Sequence, residues 1–510
     1  MASKVYAQPY INKLYDFDTT NDWGHTLFQH PDGSYLILGA DFKNSIPAIT
    51  SNQISIDGNV LLDKKEIYRL QNESLQMCTY GRIKKLFNGN YLVCITGVSP
   101  QPNTNYGSYF RSGLAVLDVN SDTIFTRLYT DTSKYKEILY DCLEMPDGGY
   151  LLAGARNAVH TTQQNYAGLL YRTDSNGKIM WEKTYSDITD NEINSIQLTK
   201  DGNILIGLHV YELHISSLGD ANYKYRPWFI VADSNNGAII KSRLYTYSYA
   251  GGVTTGDGNI FEDKNGGYFH WGQIDSKVID PWEHYLNFPP YFARLDSDFN
   301  FVYIKTWQPT LGGQHRYIMA VEQTSDNGYI LIGSTRIIDT VQHGPLLGWA
   351  AKLNKNGFVV WEHTYTLDSG QIAYLVDAYE LPDKGFAFTG SYKLKNTSAQ
   401  QTQDIWLIRV DSNGCNVPDC NPTEINQILP KQQEALQIYP NPTYGQITVN
   451  SETEGKLLIY STDARLVGDF IIEKGKNSIS LPDKLYAGVY VARFITVGNI
   501  IYNFRLVYQK

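Results

Sequence analysis

The 510 residues carry 43 Lys and Arg against 52 Asp and Glu, a formal charge of −9, with 42% hydrophobic and 19% charged positions. This is the balance of a packed protein, not of a disordered one. The mild acidity, without a basic stripe to neutralise phosphates, argues against nucleic acid as a partner, and no transmembrane segment is expected because no run reaches the roughly 18–20 apolar residues that a spanning helix needs.

In chain order, the first residues lack the apolar stretch of a secretory signal. Val5-Tyr6-Ala7 has the small-residue look of a cleavage site that would leave Gln8 as the mature start, as in a chain whose export signal was trimmed away. Residues 10–17 then read as a strand. From there a phrase returns seven times: a polar turn, a glycine, an aromatic, then apolar residues ending in glycine. It reads Pro31-Asp-Gly-Ser-Tyr-Leu-Ile-Leu-Gly39 and Pro146-Asp-Gly-Gly-Tyr-Leu-Leu-Ala-Gly154, with other copies marked by Tyr91, Ile204, Tyr268, Tyr329 and Phe386. A near-constant period with variable spacing means one supersecondary unit repeated, with insertions confined to loops.

Each unit spells four antiparallel strands. In the fourth, Ile193–Lys200 turns at Asp201-Gly202 into Asn203–Leu208, and after a long connection Trp228–Ala232 turns at Asp233–Gly237 into a last strand near Tyr245. The second turn recurs at Asp174–Gly177, Asn354–Gly357 and Asp411–Gly414. Such glycines accept the positive φ of tight turns. The expected fold is therefore all-β: a seven-bladed β-propeller over residues 1–420, followed by a small C-terminal β-sandwich. The seventh unit lacks a fourth strand, and residues 10–17 are expected to supply it, sealing two sheet edges at once. Trp228, Tyr291, Trp349 and Trp406 recur at one position of the unit and read as packing between blades. The connections between second and third strands, among them 40–51, 98–112, 208–227 and 273–290, are expected as long loops gathered on one face, where a propeller builds its binding surface.

On that face the fifth unit holds residues that do not recur. Trp282 and Tyr285, with Glu283 and His284, suit stacking on a sugar ring or gripping a peptide. Tyr109 and Arg111 are a weaker candidate pair, as are Tyr211, Glu212 and His214. No metal, cofactor or catalytic residue is assigned: the Asp-x-Asn-Gly turns are explained by hairpin chemistry, and no nucleophile elbow, His-Glu-x-x-His or phosphate-cradling loop occurs. The reading preferred is a non-enzymatic binding or adhesion propeller that holds a glycan, peptide or surface protein. The alternatives are a polysaccharide hydrolase or lyase using Glu283 and His284, and an accessory of a secretion or gliding apparatus. Cys78, Cys94 and Cys142 lie in apolar strand-like runs and read as buried thiols. Cys415 and Cys420, flanking Asn-Val-Pro-Asp, read as a small disulfide loop of an oxidising compartment.

After a polar linker at 421–435, the module 436–510 alternates as short strands. Tyr439-Pro440-Asn441-Pro442-Thr-Tyr-Gly445, then Leu457–Val467, then Leu485-Tyr-Ala-Gly488-Val-Tyr490 and Phe504-Arg505-Leu-Val507 resemble, in order and spacing, the type A C-terminal sorting domain of Bacteroidetes type IX secretion cargo. Ala464 departs from the pattern where a glycine is common. The resemblance implies passage through the periplasm, recognition of the tail by the translocon and its shuttle protein, and release outside the cell or attachment at its surface. A propeller closed by a cysteine pair is similar to other cargo of this kind.

Overall fold

The computed structural model describes residues 10–17, 21–43, 46–68, 74–76, 83–99, 109–129, 135–158, 166–186, 190–215, 221–245, 253–264, 266–275, 290–306, 314–338, 343–367, 370–394, 403–417, 436–440, 443–461, 466–482, 485–486, 488–496 and 501–508. Among them every regular element is a β-strand. The chain forms two compact units, Met1–Cys420 and Asn421–Lys510.

In the first unit, strands pair with their neighbours in chain order, giving antiparallel sets over 22–68, 74–128, 135–185, 191–244, 253–306 and 314–365. The set that follows begins at Gly370–Glu380 and is finished by the opening strand of the chain: Ile11–Tyr15 runs antiparallel to Gln403–Val410, from Ile11↔Arg409 to Tyr15↔Ile405. A single parallel pairing, Leu346↔Ile372, joins the last two sets into one eight-stranded sheet. The last set also meets the first, where the Leu27 amide donates to Asp377 Oδ2 at 2.8 Å. Successive antiparallel sheets closing on themselves make a β-propeller.

The repeated phrase has a structural cause at each of its ends. Its first glycine takes positive φ in the hairpin between first and second strands, as at Gly33, Gly89, Gly148, Gly202 and Gly266. Its last glycine lies opposite a break in the first strand. Register shifts fall between Gly24 and Thr26, Leu139 and Asp141, Ile193 and Ser195, Ile318 and Ala320, and Leu375 and Asp377. At each, one extra residue bulges out, and the facing backbone closes on the glycine. A Cβ at Gly39, Gly154, Gly333 or Gly390 would sit 1.8–1.9 Å from the carbonyl oxygen of Trp23, Ile138, Tyr317 or Tyr374. No side chain fits there, so glycine marks a β-bulge.

The sets are tied to one another by a second recurring device. A tyrosine ending a fourth strand donates its hydroxyl to the carbonyl of the positive-φ residue in the next set's last turn. The pairs are Tyr15 to Gly58 (3.0 Å), Tyr129 to Gly177 (2.8 Å), Tyr185 to Gly237 (2.9 Å), Tyr365 to Gly414 (2.9 Å), and Tyr245 to Phe299. Burial raises the hydroxyl pKa of Tyr15 and Tyr185 far beyond the usual tyrosine value, so both remain donors. Phe299 holds φ +61, a conformation costly for a bulky side chain; it is buried, with its ring against Tyr268 and Phe229. The recurring aromatics Trp228, Tyr291, Trp349 and Trp406 are buried among the sheets, and Trp406 Nε1 donates to Asn12 of the closing strand at 2.8 Å.

One expectation needs correcting. Several connections between second and third strands are not loops along their length, because the β-ladder runs on into them. Tyr35–Lys43 pairs with Ile46–Ile54 as far as Lys43↔Ile46, so 40–51 is almost wholly strand. Ile204–Ile215 pairs with Ala221–Ala232 out to Ile215↔Ala221, and the sixth set pairs to Ile338↔His343. Backbone pairing needs no particular side chain, so the ladder can run on without a mark in the sequence.

In the second unit, Leu436–Tyr439, Gln446–Ser451 and Gly475–Ser480 form one sheet. Gly455–Ser461, Leu466–Ile472, Gly488–Thr496 and Ile501–Tyr508 form another. Ile447 and Val449 of the first pack with Leu457, Ile459, Ala492, Phe494 and Leu506 of the second, the inward-facing core of a sandwich. The linker expected at 421–435 lies outside the described residues.

Candidate functional site

The inner bulges build a cavity. It has a volume of about 260 Å³ and takes residues from the first strand of every set: His25, Lys84, Asp141, Asn194, Asn259, Met319 and Val376 among them. Four of these, His25, Asn194, Met319 and Val376, are the extra residues of the bulges. The break in register turns each toward the axis of the ring, while the residue that follows reaches sideways to the next set. Asp141 Oδ2 accepts from the Ile196 amide at 2.9 Å, Asp377 from Leu27 at 2.8 Å, and Ser195 Oγ from Ile260 at 3.2 Å. One bulge thus does two jobs: it supplies a cavity wall and fixes the angle to the neighbouring sheet.

The cavity is polar and nearly neutral. Lys84 Nζ lies 3.7 Å from Asp141 Oδ1. Glu322 adds a second carboxylate. Burial pushes the His25 imidazole down to about 4, so it is neutral at ordinary pH. Trp271, 6% exposed, is a wall residue from a second strand; its Nε1 and the Asn194 Oδ1 are buried and have no hydrogen-bond partner among the described residues. Behind the wall, His270 accepts the Tyr291 hydroxyl at Nε2, and Nδ1 donates to the Asn259 carbonyl at 2.8 Å, because a carbonyl can only accept. Burial also lowers this imidazole to about 4, an effect the Asn259 contact partly offsets.

A charged network stands at the rim carrying the second-to-third connections. Arg156 donates from Nε to Glu137 Oε1 at 2.7 Å, from Nη1 and Nη2 to Glu182 at 3.0 and 3.1 Å, and from Nη2 to Tyr171 at 2.7 Å. Glu137 is buried and also accepts from Ser112. The hydrogen bond from Arg156 lowers the pKa of Glu182. In the next set Tyr211 donates to Glu192 at 3.2 Å, with His209 edge-on to it. The guanidinium is fully engaged here, and the arrangement stiffens the bases of the hairpins.

Sequence reasoning about the rim meets the structure only in part. Trp282, Glu283, His284 and Tyr285 lie outside the described residues. Tyr109 and Arg111 sit in the strand Tyr109–Leu117, but their side chains lie outside the description. The cavity was missed. In three first strands the bulged residue precedes a polar one, His25-Thr26, Asn194-Ser195 and Val376-Asp377, yet side-chain types so varied carry no motif. Cys94 and Cys142 are buried. Cys415 is buried, while Cys78 and Cys420 lie outside the described residues.

In the second unit, Tyr439 and Pro440 end an edge strand with Tyr439 41% exposed, and Gly445 holds φ +119 with its amide on Thr443 Oγ1. Tyr490 is buried and donates to the Tyr486 carbonyl at 2.7 Å; Gly488 begins the same strand. Asn441 and Pro442, and the side chain of Arg505, lie outside the description. Residues 437–507 match the family model described as "Secretion system C-terminal sorting domain". The tail is a type IX sorting domain. It marks the chain for export to the cell surface or exterior and for contact with the type IX machinery. No helix among the described residues is long and apolar enough to cross a membrane.

No curated protein matches the chain. Among solved structures it is similar to puromycin hydrolase (11% identity, TM-score 0.40, covering 76% of this chain and 52% of that one) and to the polysaccharide lyase Uly1 (11%, 0.42, covering 81% and 94%). It is also similar to α-L-arabinanase of Penicillium chrysogenum (11%, 0.33, covering 79% and 97%). The chain thus spans about half the length of the first of these. Scores of this size carry no argument about activity; the propeller assignment rests on the strand pairing above.

Proposed function

We propose that this chain is a seven-bladed propeller carried outside the cell by a type A sorting domain over 436–510, there to bind a glycan, peptide or surface protein on the rim formed by its second-to-third connections, without catalysis. Domain limits of 1–420 and 436–510, a Cys415–Cys420 disulfide and recognition of the tail by a shuttle protein belong to the same reading. The observation that supports it is the extension of paired strands past the core, as in Ile204–Ile215 with Ala221–Ala232. Paired backbone with the Tyr211–Glu192 hydrogen bond at its base preorganises such a ribbon, so a surface built on it loses less entropy on binding. Glycan-array and cell-surface binding by the full chain test this. Trp282→Ala and Tyr285→Ala are expected to weaken binding by about tenfold or more, the scale of a lost aromatic anchor. Unchanged binding in both variants would refute the rim, and polysaccharide turnover lost in Glu283→Gln and His284→Ala would make the protein a hydrolase or lyase.

A further inference from the structure

We propose that the type IX machinery grips the second unit by one outer face, that of its four-stranded sheet, with a surface that is apolar and edged by carboxylates. The inference rests on the tail being a sorting domain and says where on it the partner sits. It starts from an asymmetry between the two sheets of the sandwich. In the three-stranded sheet, Gln446-Ile-Thr-Val-Asn450 alternates strictly: Ile447 and Val449 enter the core, while Thr448 and Asn450 lie outward, opposite Ser478 and Lys476. That is the pattern of a sheet with one wet face. The four-stranded sheet does not alternate. Leu457-Leu-Ile-Tyr460 and Phe470-Ile-Ile472 are unbroken apolar runs, the composition of a sheet covered on both sides.

Leu457 and Ile459 fill the core, and the register sends the residues between them outward. Tyr460 stands opposite Leu466 and Val491, Leu458 opposite Asp469 and Arg493, and Lys456 opposite Ile471 and Ile495. Ile471 is 83% exposed, Leu466 48% and Val491 41%. Such an apolar patch edged by charge marks an interaction surface. Among the described residues, the outer face of the other sheet has only Tyr439, on its edge strand, to compare. Charge says what covers the patch. Among the described residues, Lys456 and Arg493 stand on it against one carboxylate, Asp469, whose Oδ2 lies 3.0 Å from Lys456 Nζ. Arg493 sits between Val491 and Ile495 on its strand, its guanidinium 5.8 Å from the centre of the Tyr460 ring. Tyrosine and arginine together are common anchors of an interface, and the surplus positive charge calls for an acidic counterpart. A second copy of this chain would bring the same surplus, like charge against like.

Export of the full chain from a type IX-competent bacterial host is the test, read as the ratio of protein outside the cell to protein retained. Ile471→Ser and Arg493→Glu should each lower that ratio by about tenfold, the scale of a lost interface anchor. Arg493→Lys should restore most of it, and Lys476→Glu on the polar sheet should leave it unchanged. Thermal unfolding of each purified variant checks its fold; if Arg493→Glu fails to fold, Ile471→Ser decides, because its site is already open to water. Export of both variants at the parent's level, or an equal loss in Lys476→Glu, would overturn the proposal. So would a dimer of the parent in sedimentation that Ile471→Ser dissolves, or flotation with anionic vesicles that Arg493→Glu abolishes, which would give the face to a second copy or to lipid. Deleting residues 436–510 should abolish export; export without them would refute the sorting reading itself, a separate failure.

Discussion

The inner and outer strands of the ring use one local device for opposite ends. On the first strands the bulge puts His25, Asn194, Met319 and Val376 toward the cavity and hands the next residue to the neighbouring sheet. The fourth strands also break register, just after their turns, and there the extra residues are Leu61, Ile124, Met180, Ile240, Val302 and Val360, all 52–62% exposed. An outer bulge twists a free edge away from any second sheet. The closing strand Ile11–Tyr15 pairs without any such shift. It has no turn to leave, and its task is to hold an edge, not to spoil one. Position in the ring, not residue type, decides what a bulge does.

The largest effect should come from removing that straight strand. Deleting residues 1–17 exposes the seventh set's edge and the sites of Ile11 and Tyr15, both buried. At roughly 1.5–3 kcal/mol per buried side chain, a loss of order 5 kcal/mol or more is expected, read as collapse of the cooperative unfolding transition in urea. A truncated chain unfolding like the parent would show that the clasp is ornamental. Next come the glycines opposite the inner bulges. Gly154→Ala and Gly333→Ala force a methyl group against a carbonyl and should each cost about 2–3 kcal/mol. Gly202→Ala meets no atom within 4 Å and pays only for its positive φ, roughly 1 kcal/mol. Equal losses at all three positions would mean that the bulges place no special demand on their partners.

Acid should strike the inner wall first. His25 and His270 have folded pKa values near 4 against an ordinary 6.5, so the unfolded chain binds more protons between those values. Stability is therefore full above about pH 6.5 and falls as pH drops toward 4, by up to about 3 kcal/mol per histidine. His270→Asn should flatten part of that slope in unfolding measured from pH 7 to 4. A comparably small effect belongs to the tyrosine clasps. Tyr365→Phe leaves the Gly414 carbonyl without its donor and should cost about 1–2 kcal/mol in thermal unfolding.

The repeat and its turns were legible in the sequence because glycine at positive φ is a backbone demand that few other residues meet. Ser121 and Phe299 hold the same turn position at φ +64 and +61 without a glycine, so at those two turns the local signal vanished while the period persisted. The signature's final glycine was visible too, but its cause was not. It answers to a bulge one strand away, and nothing in Tyr-Leu-Leu-Ala-Gly154 names Ile138 as the atom donor to the clash. The cavity was illegible for a related reason: its wall gathers residues from several strands far apart in sequence, brought together only by the fold. The tail was readable from its phrases, since Gly445 and the buried Tyr490 answer to local geometry.

Glycine-faced bulges of the first strands converge on one cavity. A crystal structure of the full chain should place His25, Asn194, Met319 and Val376 around one shared space, each one residue out of register with its partner strand. First strands paired without shifts, or those four side chains turned into the sheet-to-sheet core, would contradict it.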